Sequence, residues 1–85
     1  MKTFDCIVTH EFGLHARPAG LMVKEAGRFS SSVAIFCGDK QADGKKIFSL
    51  MGLGAKQGDL VRVEIEGEDE DLAASALEQI AHEHF

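Results

Sequence analysis

The feature that most constrains the fold of this chain is a repeated change of hydrophobic period. Apolar and polar residues alternate over residues 4–8, 33–37 and 61–65, which is typical of strands with one buried face. Gly38-Asp39 predicts a two-residue turn into a short returning strand over residues 40–42. The sequence therefore predicts four strands.

Three further segments have the character of helices. Residues 16–26 and 72–81 place apolar side chains three and four positions apart, and residues 45–53 form a shorter apolar segment. We expect Leu72 to lie on the apolar face of the last helix. The element order is β-α-β-β-α-β-α, and each element has one apolar side to bury. We therefore expect an α+β fold, an open-faced two-layer β-sandwich in which three helices cover one face of a four-stranded antiparallel sheet.

Length and charge restrict the class of protein. A chain of 85 residues suffices for one small domain, which we expect over residues 1–85. The formal net charge is −5, whereas nucleic-acid binding favours a basic surface, so we exclude that class of partner. No apolar segment reaches the length of a membrane span, and no signal peptide is apparent. We expect a cytoplasmic monomer without membrane insertion, in which Cys6 and Cys37 are buried thiols rather than a disulfide.

The candidate functional site is the segment GLHARPA at residues 13–19. Histidine is a nucleophile that titrates near neutral pH, and proline suits the first turn of a helix because its missing N–H is not needed there. The free N–H groups and the dipole of a helix N-terminus favour an anion, and arginine adds donors that fit phosphate. We therefore predict that His15 is phosphorylated and that Arg17, Ala16 and Pro18 form the phosphate site.

A docking surface is predicted beside this histidine. Three apolar residues on the short second helix exceed what one face can bury, and Leu21 is off the inward stripe of the first helix. An apolar patch with a basic rim suits a transient protein partner. The predicted surface consists of Gly20, Leu21, Lys24, Ile47, Phe48 and Met51. Leu21 and Ile47 favour the interface, whereas core and interface both stay open for Phe48 and Met51.

The segments GLHARPAG, KKIFSLMGLGA and QGDLVRVEIEGEDE, together with the length and the element order, resemble the HPr family. These proteins are the histidine phosphocarriers of the bacterial sugar phosphotransferase system. The resemblance implies that His15 takes a phosphoryl group on Nδ1 from enzyme I and passes it to an EIIA domain, with Arg17 stabilising the phosphate. It also implies an open-faced β-sandwich and a docking surface that meets both partners. Such a carrier is consumed and regenerated, so we expect no enzyme activity and no cofactor.

Two positions depart from the pattern of that family. Lys46 stands where many members have a regulatory serine, and lysine cannot accept that phosphate; Ser49 is a poor substitute, since helix solvation explains it. Phe12 stands where sugar-system members usually have a small polar residue. An apolar residue there resembles the nitrogen-system branch, but Phe12 also fits a simple role in covering the loop. A regulatory carrier or binding module of the same fold therefore stays open as the alternative function.

Other histidines and one other class of function receive less weight. His82 and His84 lie two residues apart, which on a helix puts them on different faces, so we expect no metal site. His10 is expected to be a surface loop residue. A small phosphate-hydrolysing enzyme is disfavoured, because no obvious residue would orient a water beside His15.

Overall fold

The computed structural model describes all residues, 1–85, and contains the seven predicted elements in the predicted order. The strands are β1 (Lys2–Ile7), β2 (Ser32–Cys37), β3 (Lys40–Asp43) and β4 (Leu60–Glu66). The helices are α1 (Ala16–Ala26), α2 (Ile47–Met51) and α3 (Glu70–His84). None of these helices is both long enough and apolar enough to cross a lipid bilayer.

The four strands form one sheet in the order β1-β4-β2-β3, and every neighbouring pair is antiparallel. β4 is therefore a central strand that pairs with both β1 and β2. The alternating side chains turn one face of the sheet toward the helices, where α3 contacts β1 and β4, and α2 contacts β3. α1 packs against both other helices. The α+β open-faced sandwich is confirmed.

One hydrophobic core lies between the sheet and the helices, as the alternation predicts. Twenty buried apolar residues form a single cluster, so all three helices share one interior. Val63 and Ile65 of β4 are fully buried, as are Met22 of α1 and Leu77 of α3. The other face of the sheet has no helix on it, and Leu60 there is 54% exposed. The core therefore lies on one side of the sheet only.

The second helix is shorter than the segment 45–53 that the sequence pattern predicts. α2 spans only Ile47–Met51, because the chain is still turning before it: the Lys45 N–H donates to Asp43 Oδ1 at 2.9 Å. Past its end, Gly54 has a φ of +64°, which leaves the helical region. The apolar pattern alone did not distinguish these turns from helix.

Leu72 is not on the buried face of α3, contrary to expectation. It is 70% exposed, whereas Ala73, Leu77 and Ala81 are buried at helical spacing of four. A residue one position before such a stripe is rotated by about 100° around the helix, so it lies on the flank. For Leu72 no neighbouring element covers that flank.

The two cysteines differ in burial. Both are free thiols, as predicted, but Cys6 is buried whereas Cys37 is only half-buried. Desolvation raises the pKa of the Cys6 thiol. Desolvation and the nearby Asp59 carboxylate raise the pKa of Cys37. The expectation of two buried thiols is therefore correct for Cys6 and wrong for Cys37.

Candidate functional site

The predicted phosphate site lies at the start of α1. His15 is the N-cap residue, with an extended backbone, and its imidazole makes no hydrogen bond to the helix. Its carbonyl oxygen accepts a hydrogen bond from Ala19 N–H at 3.1 Å, which closes the first turn. The N–H groups of Ala16 and Arg17 have no acceptor within the helix, and Pro18 has no N–H. The first turn has no acidic residue, so its positive end is open to an external anion.

The loop before α1 is held against the segment that follows α2. Gly13 has a φ of +70°, and a Cβ at this position would collide with the carbonyl oxygen of Ala55. Leu14 is buried, and its N–H donates to that same carbonyl at 3.1 Å. Glycine is therefore required at position 13 both for the left-handed backbone and for the close approach. These contacts fix the backbone from which His15 projects.

His10 lies in the β1–α1 loop, as expected, and its ring also lies close to the ring of His15. It is half-buried, and its Nε2 lies 3.4 Å from Nε2 of His15. The two ring centroids are 4.5 Å apart in an edge-on arrangement. The other ring nitrogen, Nδ1, accepts a hydrogen bond from the Phe12 N–H at 3.3 Å. Sequence reasoning missed this pair because residues five apart in a loop have no periodic signal.

Arg17 is exposed and forms no ion pair with any carboxylate of the chain. Its guanidinium group is therefore free to bind an external anion. Arg17 lines a small cleft of about 120 Å³ together with residues of the β1–α1 loop, α1 and the end of α3. The other lining residues are His10, Pro18, Leu21, Glu83 and His84. No local pattern in the sequence predicts that His84 lies near His15.

The two C-terminal histidines each lie near one acidic residue of α3. His82 lies 4.0 Å from Glu78 and His84 lies 3.6 Å from Glu83, each as a separate pair. No group of three or more histidine, cysteine or acidic side chains is close enough together to hold a metal ion.

The predicted docking residues lie on α1 and α2, which pack side by side. Ile47 is half-buried, and its Cδ1 would lie 3.6 Å from a Cβ placed at Gly20. Leu21 is also half-buried, so both residues contribute to packing as well as to the surface. Phe48 is 84% exposed and therefore is not a core residue, and Met51 is 37% exposed. Lys24 is exposed on the same side of α1 as Gly20, one turn further along the helix.

The two positions that depart from the family pattern lie at the start of α2 and beside His15. Lys46 is the exposed N-cap residue of α2, and Ser49 uses its hydroxyl to accept the Asp43 N–H at 2.9 Å. Phe12 is 72% exposed, with its ring centroid 6.0 Å from that of His15 at an angle of 83°. An aromatic side chain therefore stands in solvent beside the candidate phosphate acceptor.

Comparison of the sequence with known proteins gives one family. The PTS-HPr family, described as the PTS HPr component phosphorylation site, matches residues 2–83. The phosphocarrier protein HPr of Mycoplasma capricolum is 39% identical over 79 residues, which cover 93% of this chain and 89% of the relative. HPr of Lysinibacillus sphaericus is 43% identical over 77 residues, covering 91% and 88% of the two chains.

Solved structures with the same fold come from the same family. A mycoplasma histidine-containing phosphocarrier protein superposes with a TM-score of 0.91 at 38% identity, covering 93% of this chain and 90% of the other. HPr of Thermoanaerobacter tengcongensis gives the same score and identity, covering 100% and 96%. The Bacillus subtilis catabolite repression protein Crh, described as a swapped dimer, gives 0.78 at 37% identity, covering 99% and 97%. The chain therefore belongs to the HPr family of phosphocarrier proteins of the phosphotransferase system.

Proposed function

We propose that this protein accepts a phosphoryl group from enzyme I on Nδ1 of His15 and passes it to an EIIA-type acceptor in carbohydrate transport. The observation that carries the proposal is the uncompensated start of α1, where the His15 side chain is not used as a cap and Arg17 has no internal partner. In the first transfer a P–N bond forms at Nδ1 of His15 while the bond between phosphorus and its donor breaks. In the second transfer that P–N bond breaks while phosphorus bonds to the acceptor.

The site suits a carrier because it holds phosphate without surrounding it. The two free N–H groups of the first turn supply partial positive charge, and the exposed Arg17 guanidinium supplies a full one, while the site is open to solvent on one side. A phosphoryl group held this way is stabilised against loss but accessible to a second protein. We infer that the protein is a stoichiometric carrier rather than an enzyme, and that it needs no cofactor.

Phosphorylation tests this assignment directly. The protein is incubated with phosphoenolpyruvate and enzyme I, and intact mass spectrometry should record an acid-labile gain of one phosphate. His15→Ala should abolish the gain, and His82→Ala, an exposed histidine on α3, should leave it unchanged. A modification that survives His15→Ala would overturn the assignment.

We also propose that Gly20, Leu21, Lys24, Ile47, Phe48 and Met51 form the surface that meets enzyme I and the acceptor. Phe48 supports this most directly, because an aromatic side chain that is 84% exposed adds little to the core. Phe48→Ser should weaken transfer to the acceptor while leaving the melting temperature nearly unchanged. Leu72→Ser is the matched control, since Leu72 is 70% exposed on α3, and it should not affect transfer. Equal transfer by both variants would contradict this docking surface.

A regulatory carrier of the same fold is the second candidate, and the exposed Phe12 beside His15 favours it. In that role the protein would bind a regulator in a way that depends on the phosphate at His15, and Lys46 would exclude control through serine phosphorylation at that position. Affinity capture with phosphorylated and unphosphorylated protein distinguishes the roles. Equal recovery of partners in both states would contradict a switch at His15.

A further inference from the structure

We propose that His10 is a positioning residue that keeps Nε2 of His15 a hydrogen-bond acceptor, and thereby prolongs the lifetime of the phosphohistidine. This inference rests on the proposed function, since it concerns the same phosphorylated ring. It begins from the contact between the two Nε2 atoms, which lie 3.4 Å apart.

The hydrogen bonds around His10 assign its tautomer. Nδ1 of His10 accepts the Phe12 N–H, so in the neutral ring the proton lies on Nε2. That N–H points at Nε2 of His15, which must then be the acceptor of the pair. This tautomer has the ring proton of His15 on Nδ1, so Nδ1 can attack phosphorus only after that proton has moved through solvent to Nε2.

The backbone fixes His10 independently of its ring. Its N–H donates to the carbonyl oxygen of Phe85 at 2.8 Å, and the Gly13 N–H donates to the His10 carbonyl at 2.9 Å. Phe12 stands on the other side, with ring centroids 5.9 Å from His10 and 6.0 Å from His15. The donor is therefore held in place before any phosphate arrives.

The same donor suits the phosphorylated ring. As Nδ1 bonds to phosphorus and the bond between phosphorus and its donor breaks, the proton on Nε2 leaves to solvent, and the neutral ring then has a lone pair only on Nε2. The His10 N–H can donate to this lone pair without any change at His10. Protonation of Nε2 would turn the ring into a better leaving group, but it would also place two N–H groups face to face. His10 therefore opposes the protonation step that precedes hydrolysis of the P–N bond.

Hydrolysis of the phosphorylated protein tests this role. Phosphate loss from wild type, His10→Ala and His10→Gln is followed by ³¹P NMR at one fixed pH near neutrality. We expect about three- to tenfold faster loss in His10→Ala, the size of one hydrogen bond. The amide nitrogen of glutamine takes the place of Nε2, so His10→Gln should restore a rate near that of wild type. Equal rates in all three proteins would overturn the proposal.

A spectroscopic measurement separates this inference from the proposed function. In the unphosphorylated protein, ¹⁵N chemical shifts of the His15 ring should identify Nδ1 as protonated and Nε2 as an acceptor. The His10→Ala variant should shift the population toward the tautomer with a proton on Nε2, and His10→Gln should not. A wild type that takes no phosphate would contradict the proposed function, and unchanged His15 shifts in His10→Ala would contradict the role of His10.

Discussion

The two long helices of this protein begin in opposite ways. The N-cap of α1 is His15, and the first turn of this helix has no acidic residue. The N-cap of α3 is Asp69, and its first turn contains Glu70 and Asp71. Both starts carry the same positive partial charge from unpaired N–H groups. In α3 the chain supplies the negative charge itself, whereas in α1 we propose that a transient phosphoryl group supplies it.

The N-cap carboxylate of α3 also binds a neighbouring loop. The Asp69 carboxylate accepts the N–H groups of Ser30 and Ser31, each at 2.9 Å, and also the Ser31 hydroxyl. These hydrogen bonds, that of the hydroxyl first, lower the pKa of Asp69 from 3.8 to about 2. One carboxylate thus ties the α1–β2 loop to the start of α3. The comparison teaches that a helix N-terminus can serve stability or transfer, depending on where its anion comes from.

Removal of Arg17, at the start of α1, should have the largest effect on phosphoryl transfer. Arg17→Ala should slow phosphoryl transfer through His15 by about 100-fold, the range for loss of one donor that stabilises a developing charge. Rapid-quench measurement of transfer from enzyme I checks this. Arg28→Ala is the control, because Arg28 is an exposed arginine paired with Glu25 at 3.1 Å. A similar loss in both variants would indicate a general effect of charge instead.

The difference between the two helix starts can be removed by giving α1 an acidic first turn like that of α3. Ala16→Glu places a carboxylate beside the proposed phosphate, and the repulsion should reduce phosphorylation of His15 about tenfold. Ala16→Gln has nearly the same shape without the charge and should behave like wild type. The equilibrium fraction of phosphoprotein, measured against enzyme I at fixed phosphoenolpyruvate, gives the result. Equal loss in both variants would point to a steric cause.

At the start of α3, Asp69→Asn should lower the melting temperature by several degrees at pH 7 without affecting phosphoryl transfer. The pKa of Asp69 is lowered in the folded protein, so its stabilisation is fully present above about pH 4 and is lost as the pH falls through about 2. The difference in melting temperature between wild type and variant should therefore shrink over this interval. A difference that stays constant down to pH 2 would contradict the assignment to the ionised carboxylate.

The smallest effect on stability is expected at Asp71, two residues after Asp69. Asp71→Asn removes a carboxylate that is 80% exposed and pairs with Lys2 at 3.2 Å. Exposed ion pairs contribute little, so the melting temperature should change by no more than about 1 °C. A loss as large as that of Asp69→Asn would mean that charge at the helix start matters more than the hydrogen bonds to the serine loop.

The sequence was sufficient for the strands because they follow a local rule, and the prediction for His15 rests on a local rule as well. Alternation predicts which side of a strand is buried, and a proline near a helix start predicts where free N–H groups gather. Contacts between residues in a loop follow no such rule, so the approach of His10 to His15 required coordinates. The exposure of Leu72 was missed for a related reason: spacing identifies the apolar stripe of a helix but not which neighbours cover its flanks.

The central place of β4 in the sheet has a consequence for how the chain folds. Lys2 of β1 pairs with Ile65, and Ser32 of β2 pairs with Glu66, so both partners of β4 precede it by many residues. Such non-local pairing raises the contact order and slows folding relative to helical proteins of equal size. During synthesis β1 and β2 expose unpaired edges until β4 has left the ribosome, and that interval is when an emerging chain is most prone to aggregate.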